Sequence, residues 1–467
     1  MRKPSASTRA IRGAPIPLQF SPSVFSFTLS IAGPMMPPHS IPTPNRFSRP
    51  RAGGWISLSI LALLAVAKSA LAGESEWPQF RGPKGQGISS AVDVPIEWNA
   101  NSHIEWKIEL PGRGWSSPVL SHGKLYLTAA VPDAGGAQTL HALCLDPLDG
   151  KILWDTEVFR PEPSLMAGMH WKNSAASATP IVSADRLYVH FGHMGTAALD
   201  LSGKIIWTQN QLNYDPAYGN GGSPILLGDA LIFNCDGQKD PFVAALDAKT
   251  GAVRWKAPRN FKVKKTSSFS TPLAILIAGA WEVISPATGF VGAYDPRDGR
   301  ELWRVRYVEG YSVVPCPVYS RGLLVISSGF GAPTLFAIKP VGASGDATAT
   351  NIAWTQRKGA PCTPSMVVVG SEIYYVSDSG IATCADIATG NIRWNERLGG
   401  DFSASPVAAE GRIYFQNEAG IGFVVKADTT FQLLSKNELG ERSLASYAVA
   451  DGALFIRTES HLWKVAK

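Results

Sequence analysis

Apolar and polar positions alternate in short runs along most of this chain, and each run is bounded by glycine, aspartate or proline. Gly123-Lys-Leu-Tyr-Leu, Asp185-Arg-Leu-Tyr-Val and Gly411-Arg-Ile-Tyr-Phe each set a turn residue ahead of a strand with one apolar face. Such alternation is what half-buried antiparallel strands require. The runs recur on a longer grid. Each repeat opens on a small or polar residue followed by proline: Ser117, Thr179, Ser223, Thr271, Cys316, Thr363 and Ser405, with Ser446-Tyr447 as a last copy lacking the proline. Spacings between these openings run from 41 to 62 residues, the length of one four-stranded blade with variable loops.

A second signal marks the far end of each repeat. Asp146-Gly150-Trp154, Asp200-Gly203-Trp207, Asp247-Gly251-Trp255, Asp295-Gly299-Trp303 and Asp386-Gly390-Trp394 place a tryptophan seven or eight residues after an aspartate. Asp and Gly suit the tight turn between third and fourth strands. The indole supplies a large flat face to wedge between blades and an N–H to bond a carbonyl. The expected fold is all-β: an eight-bladed β-propeller of four-stranded antiparallel blades, with seven as the alternative count. Trp106 precedes the first opening, and the last repeat lacks a fourth strand, so the strand carrying Trp106 is expected to complete the last blade and close the ring. Trp354 is the surviving tryptophan of the fifth repeat, and Phe431 stands near the expected place in the seventh.

Residues 1–73 read as an N-terminal extension with a signal peptide, and 74–467 as one propeller domain. Thirteen largely apolar residues, 55–67, follow Arg46, Arg49 and Arg51 and precede the small-x-small site Ala70-Leu71-Ala72. This layout is that of a secretory leader and is short for a membrane span. Export to the periplasm or cell envelope is therefore expected, with no membrane span after cleavage, and Met35 or Met36 is a candidate start. The leader also explains the charge. It holds eight of the 43 basic residues and no acidic ones, which leaves 35 basic against 37 acidic residues in the remainder. A nucleic-acid reader needs a basic surface to neutralise phosphates, so nucleic acid is not an expected partner.

Ala245-Leu-Asp247-Ala-Lys-Thr250-Gly251-Ala-Val-Arg-Trp255 resembles the tryptophan-docking motif of pyrroloquinoline-quinone (PQQ) repeat propellers. That family includes quinoprotein alcohol dehydrogenases and the propeller lipoprotein of the outer-membrane β-barrel assembly machinery. The resemblance covers roughly residues 77–467, and the opening Trp77-Pro-Gln-Phe-Arg-Gly-Pro83 is similar to exported members of the group. It implies structural docking roles for Trp106, Trp154, Trp207, Trp255, Trp303, Trp354 and Trp394. Likeness to the dehydrogenases would imply PQQ on an adjacent Cys-Cys disulfide, with calcium on acidic and amide ligands. Here Cys144, Cys235, Cys316, Cys362 and Cys384 are never adjacent, so no cofactor is expected. Fold alone does not settle chemistry.

The candidate binding face is built from four loops that the topology sends to one side: His170 and Trp171 between the first two blades, Tyr214 and Tyr218 in the next connection, and His193 and Asp240 in second-to-third strand turns. Histidine and aromatic residues on loops of a rigid scaffold point to binding. No His-Glu-x-x-His spacing and no Gly-x-Ser-x-Gly elbow occurs, so no catalytic or metal-ligating residue is assigned. Cys144 and Cys384 lie two positions before turn aspartates and read as small core residues, while Cys316 and Cys362 fall near neighbouring blade openings. The expected role is a non-catalytic scaffold for an envelope or secreted protein partner. A quinone-dependent oxidoreductase and a carbohydrate-binding propeller are the alternatives.

Overall fold

The computed structural model describes residues 76–260, 263, 265–307 and 310–467, so the signal peptide and start methionine lie outside the described residues. Eight antiparallel sheets follow one another along the chain. The first comprises Val119–Ser121, Lys124–Pro132, Gln138–Leu145 and Ile152–Phe159, and six more repeat the same up-and-down order. The eighth takes Ala448–Ala450, Ala453–Arg457 and His461–Val465 from the C-terminus and Ile104–Glu109 from the N-terminal side. Lys107 stands opposite Trp463 in that seam. Eight blades are present, and the ring closes through the strand of Trp106 as expected. Closure leaves only short outer edges open to stray pairing. Helix is limited among the described residues to two single turns, Pro163–Met166 and Gly192–Met194. No described helix is long and apolar enough to cross a membrane.

The tryptophans lock neighbouring blades. Six indole N–H groups reach into the next blade's turn between third and fourth strands: Trp106 to the Pro147 carbonyl at 3.1 Å, Trp154 to Leu201 at 3.1 Å, Trp207 to Ala248 at 3.1 Å, Trp255 to Pro296 at 3.0 Å, Trp354 to Ile387 at 2.9 Å and Trp394 to Asp428 at 2.9 Å. The turn glycine does more than adopt a positive φ. The preceding blade's indole lies flat on it, and a Cβ built at Gly251 would sit 2.6 Å from Trp207 Cε3.

Two docking expectations need correction. Trp303 is fully buried, but its N–H goes to Glu282 of its own blade at 2.8 Å, because a long excursion, not a tight turn, joins the fifth blade's last two strands. In that blade residues 339–351 bulge outward instead, and Gly345–Asp346 adds a parallel fifth strand outside Trp303. In the seventh blade Ser435, not Phe431, holds the tryptophan position: it faces Val424 as Trp394 faces Cys384. Phe431 caps Trp394 instead, with ring centroids 5.1 Å apart, and Trp98 from the N-terminal arm packs edge-on to Tyr447.

A second belt circles the channel. At six of the eight blade openings the backbone N–H donates to the next blade's opening hydroxyl: Ser117 to Thr179, Thr179 to Ser223, Ser223 to Thr271, Cys316 to Ser365, Ser365 to Ser405 and Ser405 to Ser446, all at 2.9–3.0 Å. The sixth opening is therefore Ser365, two residues beyond the expected Thr363. Prolines on both sides of residue 363 obscure that register in sequence.

Candidate functional site

In each blade the first strand starts, and the second-to-third turn sits, on one face of the ring. The Asp-Gly turns lie on the other. The arm at residues 77–89 closes the channel from that second face. Trp77 pairs with Leu120 of blade one, the Pro78 carbonyl accepts from Val182 of blade two, Gln86 accepts from Tyr319 of blade five, and Gly87 and Ser89 bond Ala408 of blade seven. Ser89 Oγ then donates to Val449 of blade eight at 3.0 Å. Arg81 is wholly buried in this crossing and donates to the carbonyls of Gln86, Met366 and Pro406. Burial lowers its pKa to about 10, so it stays charged at neutral pH. The motif at residues 77–83 is thus a plug.

Above the plug, the loop face holds two depressions. The central one is a blind funnel of 410 Å³ with Phe80 of the arm among its lining residues, together with the opening hydroxyls and the rings of Trp115, Phe269 and Tyr311. His170 and Tyr218 line it as well, in edge-on contact at 5.9 Å. Trp171 is on the rim, 64% exposed, against His170 at 5.7 Å and beneath the Arg442 guanidinium at 5.0 Å. The loop is tied down from several sides. Lys172 Nζ meets Glu418 Oε1 at 2.5 Å, and Asn173 Nδ2 donates to the Tyr218 carbonyl at 2.9 Å.

The other depression is a groove of 1040 Å³ across blades one to three, lined by His193, Tyr214 and Asp240 together with Arg160, Lys239 and Lys256. His193 Nε2 lies 2.7 Å from the Leu165 carbonyl and its ring is edge-on to Tyr214 at 5.9 Å. Burial holds its pKa below the ordinary value, against the pull of that carbonyl. Asp240 is exposed, at φ +47°. The six expected residues therefore share a face but divide between a funnel, its rim and a separate groove.

Activated chemistry is absent from the cysteines. All five are free, and burial pushes Cys144, Cys362 and Cys384 up to about 12, far from a thiolate at neutral pH. Cys316 instead lies in the belt, where its N–H bonds Ser365. Among the described residues no three His, Cys, Asp or Glu side chains are grouped to hold a metal. One buried ion pair, Arg259 to Asp236 at 2.5 Å, lies between blades three and four, with Arg259 also donating to Ser285 Oγ at 2.7 Å. Sequence reasoning missed Trp115, Phe269, Tyr311 and Phe80, which come from distant segments; only the position of Phe80 in the Trp77–Pro83 motif offered a signal.

The family model described as outer membrane protein assembly factor BamB matches residues 98–272 and 287–460, more than half of the chain. The chain belongs to this family of PQQ-repeat propellers. A solved structure of BamB from Moraxella catarrhalis superposes with a TM-score of 0.57 at 14% identity, over 78% of this chain and 97% of that one, a likeness of fold. Methanol dehydrogenase (cytochrome c) subunit 1 of Paracoccus denitrificans is 33% identical over 145 residues, 27% of this chain and 22% of the relative. The lanthanide-dependent methanol dehydrogenase of Methylorubrum extorquens strain AM1 is 28% identical over 151 residues, 29% of this chain and 24% of the relative. The chain spans less than a quarter of the length of these two curated relatives.

Proposed function

We propose that this protein is a non-catalytic scaffold of the cell envelope that binds a protein partner through its loop face. The observation that carries this reading is the loop at residues 169–173. It presents an exposed tryptophan between a histidine and two cations, on a loop held by the Lys172–Glu418 ion pair and by the His170 N–H on the Tyr218 carbonyl. A large rigid aromatic held ready for contact is the usual anchor of a protein interface. The repeat motifs are all consumed by blade-to-blade locking, and family membership with an outer membrane assembly factor supports the scaffold role and an envelope address. The test is the double substitution His170→Ala with Trp171→Ala. Captured partner from envelope fractions should fall at least about tenfold, the equivalent of 1.4 kcal/mol, with the melting temperature unchanged. An unaltered capture profile would discard the reading.

The methanol dehydrogenase relatives favour a second reading, quinone-dependent oxidation. The residues do not fit that cofactor's implied platform: the cysteines are separate and free, and no described acidic cluster could hold calcium. Dye reduction with an alcohol after addition of PQQ and calcium would promote this reading.

A further inference from the structure

The plugged channel has a chemistry that docking a protein on the rim does not use. Each belt hydroxyl carries one proton and two lone pairs. A neighbouring blade's N–H takes a lone pair at Thr179, Ser223 and Ser446, and those three protons have no acceptor among the described residues. They are left to donate into the funnel that all three residues line.

Beneath and beside this belt lie two cations with no carboxylate partner among the described residues. Arg81 follows the funnel residue Phe80 and bonds only carbonyls. Arg457 is equally buried and donates to Ser116 Oγ at 2.6 Å and to the Ser116 and Thr128 carbonyls, one residue from the belt at Ser117. Burial lowers its pKa to about 9, which keeps it cationic at pH 7. Near the mouth Lys265 rests on the Tyr311 ring at 3.7 Å and has no acidic partner among the described residues. Lys172 is already matched by Glu418. No described Asp or Glu lines the funnel. Unopposed charges around a low-dielectric cavity focus a positive potential into it.

We infer that the funnel binds an acidic saccharide of one or two rings. A carboxylate answers Lys265 and the buried guanidinium potential, sugar oxygens accept from the belt, and the faces of Trp115, Phe269 and Tyr311 receive the ring faces. The volume of 410 Å³ falls within the range of small-molecule pockets, about 300–1,000 Å³. The blind end admits a chain terminus or a free small sugar and excludes threading. The docking surface and the funnel share the wall residue His170, but Trp171 lies outside the funnel, and the substitutions that test the funnel, at Lys265 and Val314, lie outside the docking loop.

The experiment titrates the full exported chain with digalacturonate, with its uncharged dimethyl ester, and with citrate, following heat and tryptophan fluorescence. Digalacturonate should bind saturably at one site, and the ester at least about tenfold more weakly, as expected for losing hydrogen bonds to a charged group. Lys265→Met should weaken digalacturonate by about tenfold on the same grounds. Val314→Trp, which fills the funnel from a half-buried position, should abolish binding while thermal unfolding stays at the wild-type temperature. Equal affinity for the ester overturns the acid requirement. Equal affinity for citrate overturns the sugar. Absence of digalacturonate binding, or binding indifferent to both substitutions, overturns the site.

Discussion

Substituting Gly251 by alanine tests why the repeat needs glycine at that turn. The residue has φ +75°, and its added methyl would meet three Trp207 ring atoms at 2.6–3.1 Å. Two costs add. A left-handed conformation costs an L-residue about 1–2 kcal/mol, and forcing a methyl into a packed contact costs about 1–3 kcal/mol. The expected destabilisation is about 2–5 kcal/mol. Gly228 separates the two effects, because its φ is +60° but a methyl added there would have nothing within 4 Å. Gly228→Ala should therefore lose only the conformational share, about 1–2 kcal/mol. Urea unfolding followed by tryptophan fluorescence measures both variants against the parent. The difference between them, about 1–3 kcal/mol, is the overpacking term. Equal losses would show that the indole does not press on the turn, and the blade-locking argument would be wrong.

Other outcomes follow from single contacts. Trp394→Phe keeps most of the ring but removes the bond to the Asp428 carbonyl, and should cost about 1 kcal/mol for that bond alone in urea unfolding, with any lost ring area added. His190 is wholly buried with its pKa lowered to about 3 by burial. The unfolded chain, near 6.5, takes up the proton first as pH falls. Stability from this group is thus full above pH 6.5 and declines toward pH 3, by about 2 kcal/mol at pH 5. Between pH 6.5 and 4 His190→Phe should lose about 3 kcal/mol less stability than the parent, and an equal loss would contradict the assignment. Arg81→Met leaves three carbonyls under the channel without their donor. Limited proteolysis should then cut the arm near residues 83–86 well before the propeller, whereas the parent arm resists.

The architecture was legible because its signals are local. An Asp-Gly turn and a tryptophan eight residues later report one blade each, and the unmatched strand of Trp106 reports the seam. Where blades deviate, the signal is lost: a bulge replaces the turn after Trp303, and Ser435 stands at the tryptophan position of the seventh blade, its hydroxyl donating to the Ile96 carbonyl from outside the repeats. The site was half legible. Loop position follows from strand direction, so the shared face of His170 and His193 could be inferred, but their separation into funnel and groove depends on which loops cross the axis. The plug was hidden altogether. Residues 77–89 touch six blades whose inner strands are brought together only by ring closure, and no spacing in the chain records that.

The scaffold role is tested most directly by site-specific photo-crosslinking in intact envelopes. A crosslinker replaces Trp171 on the loop face or Leu148, 78% exposed in the Asp-Gly turn of blade one on the other face. A discrete protein adduct from position 171 and none from 148 is the expected result. Adducts from 148 with none from 171 would contradict it.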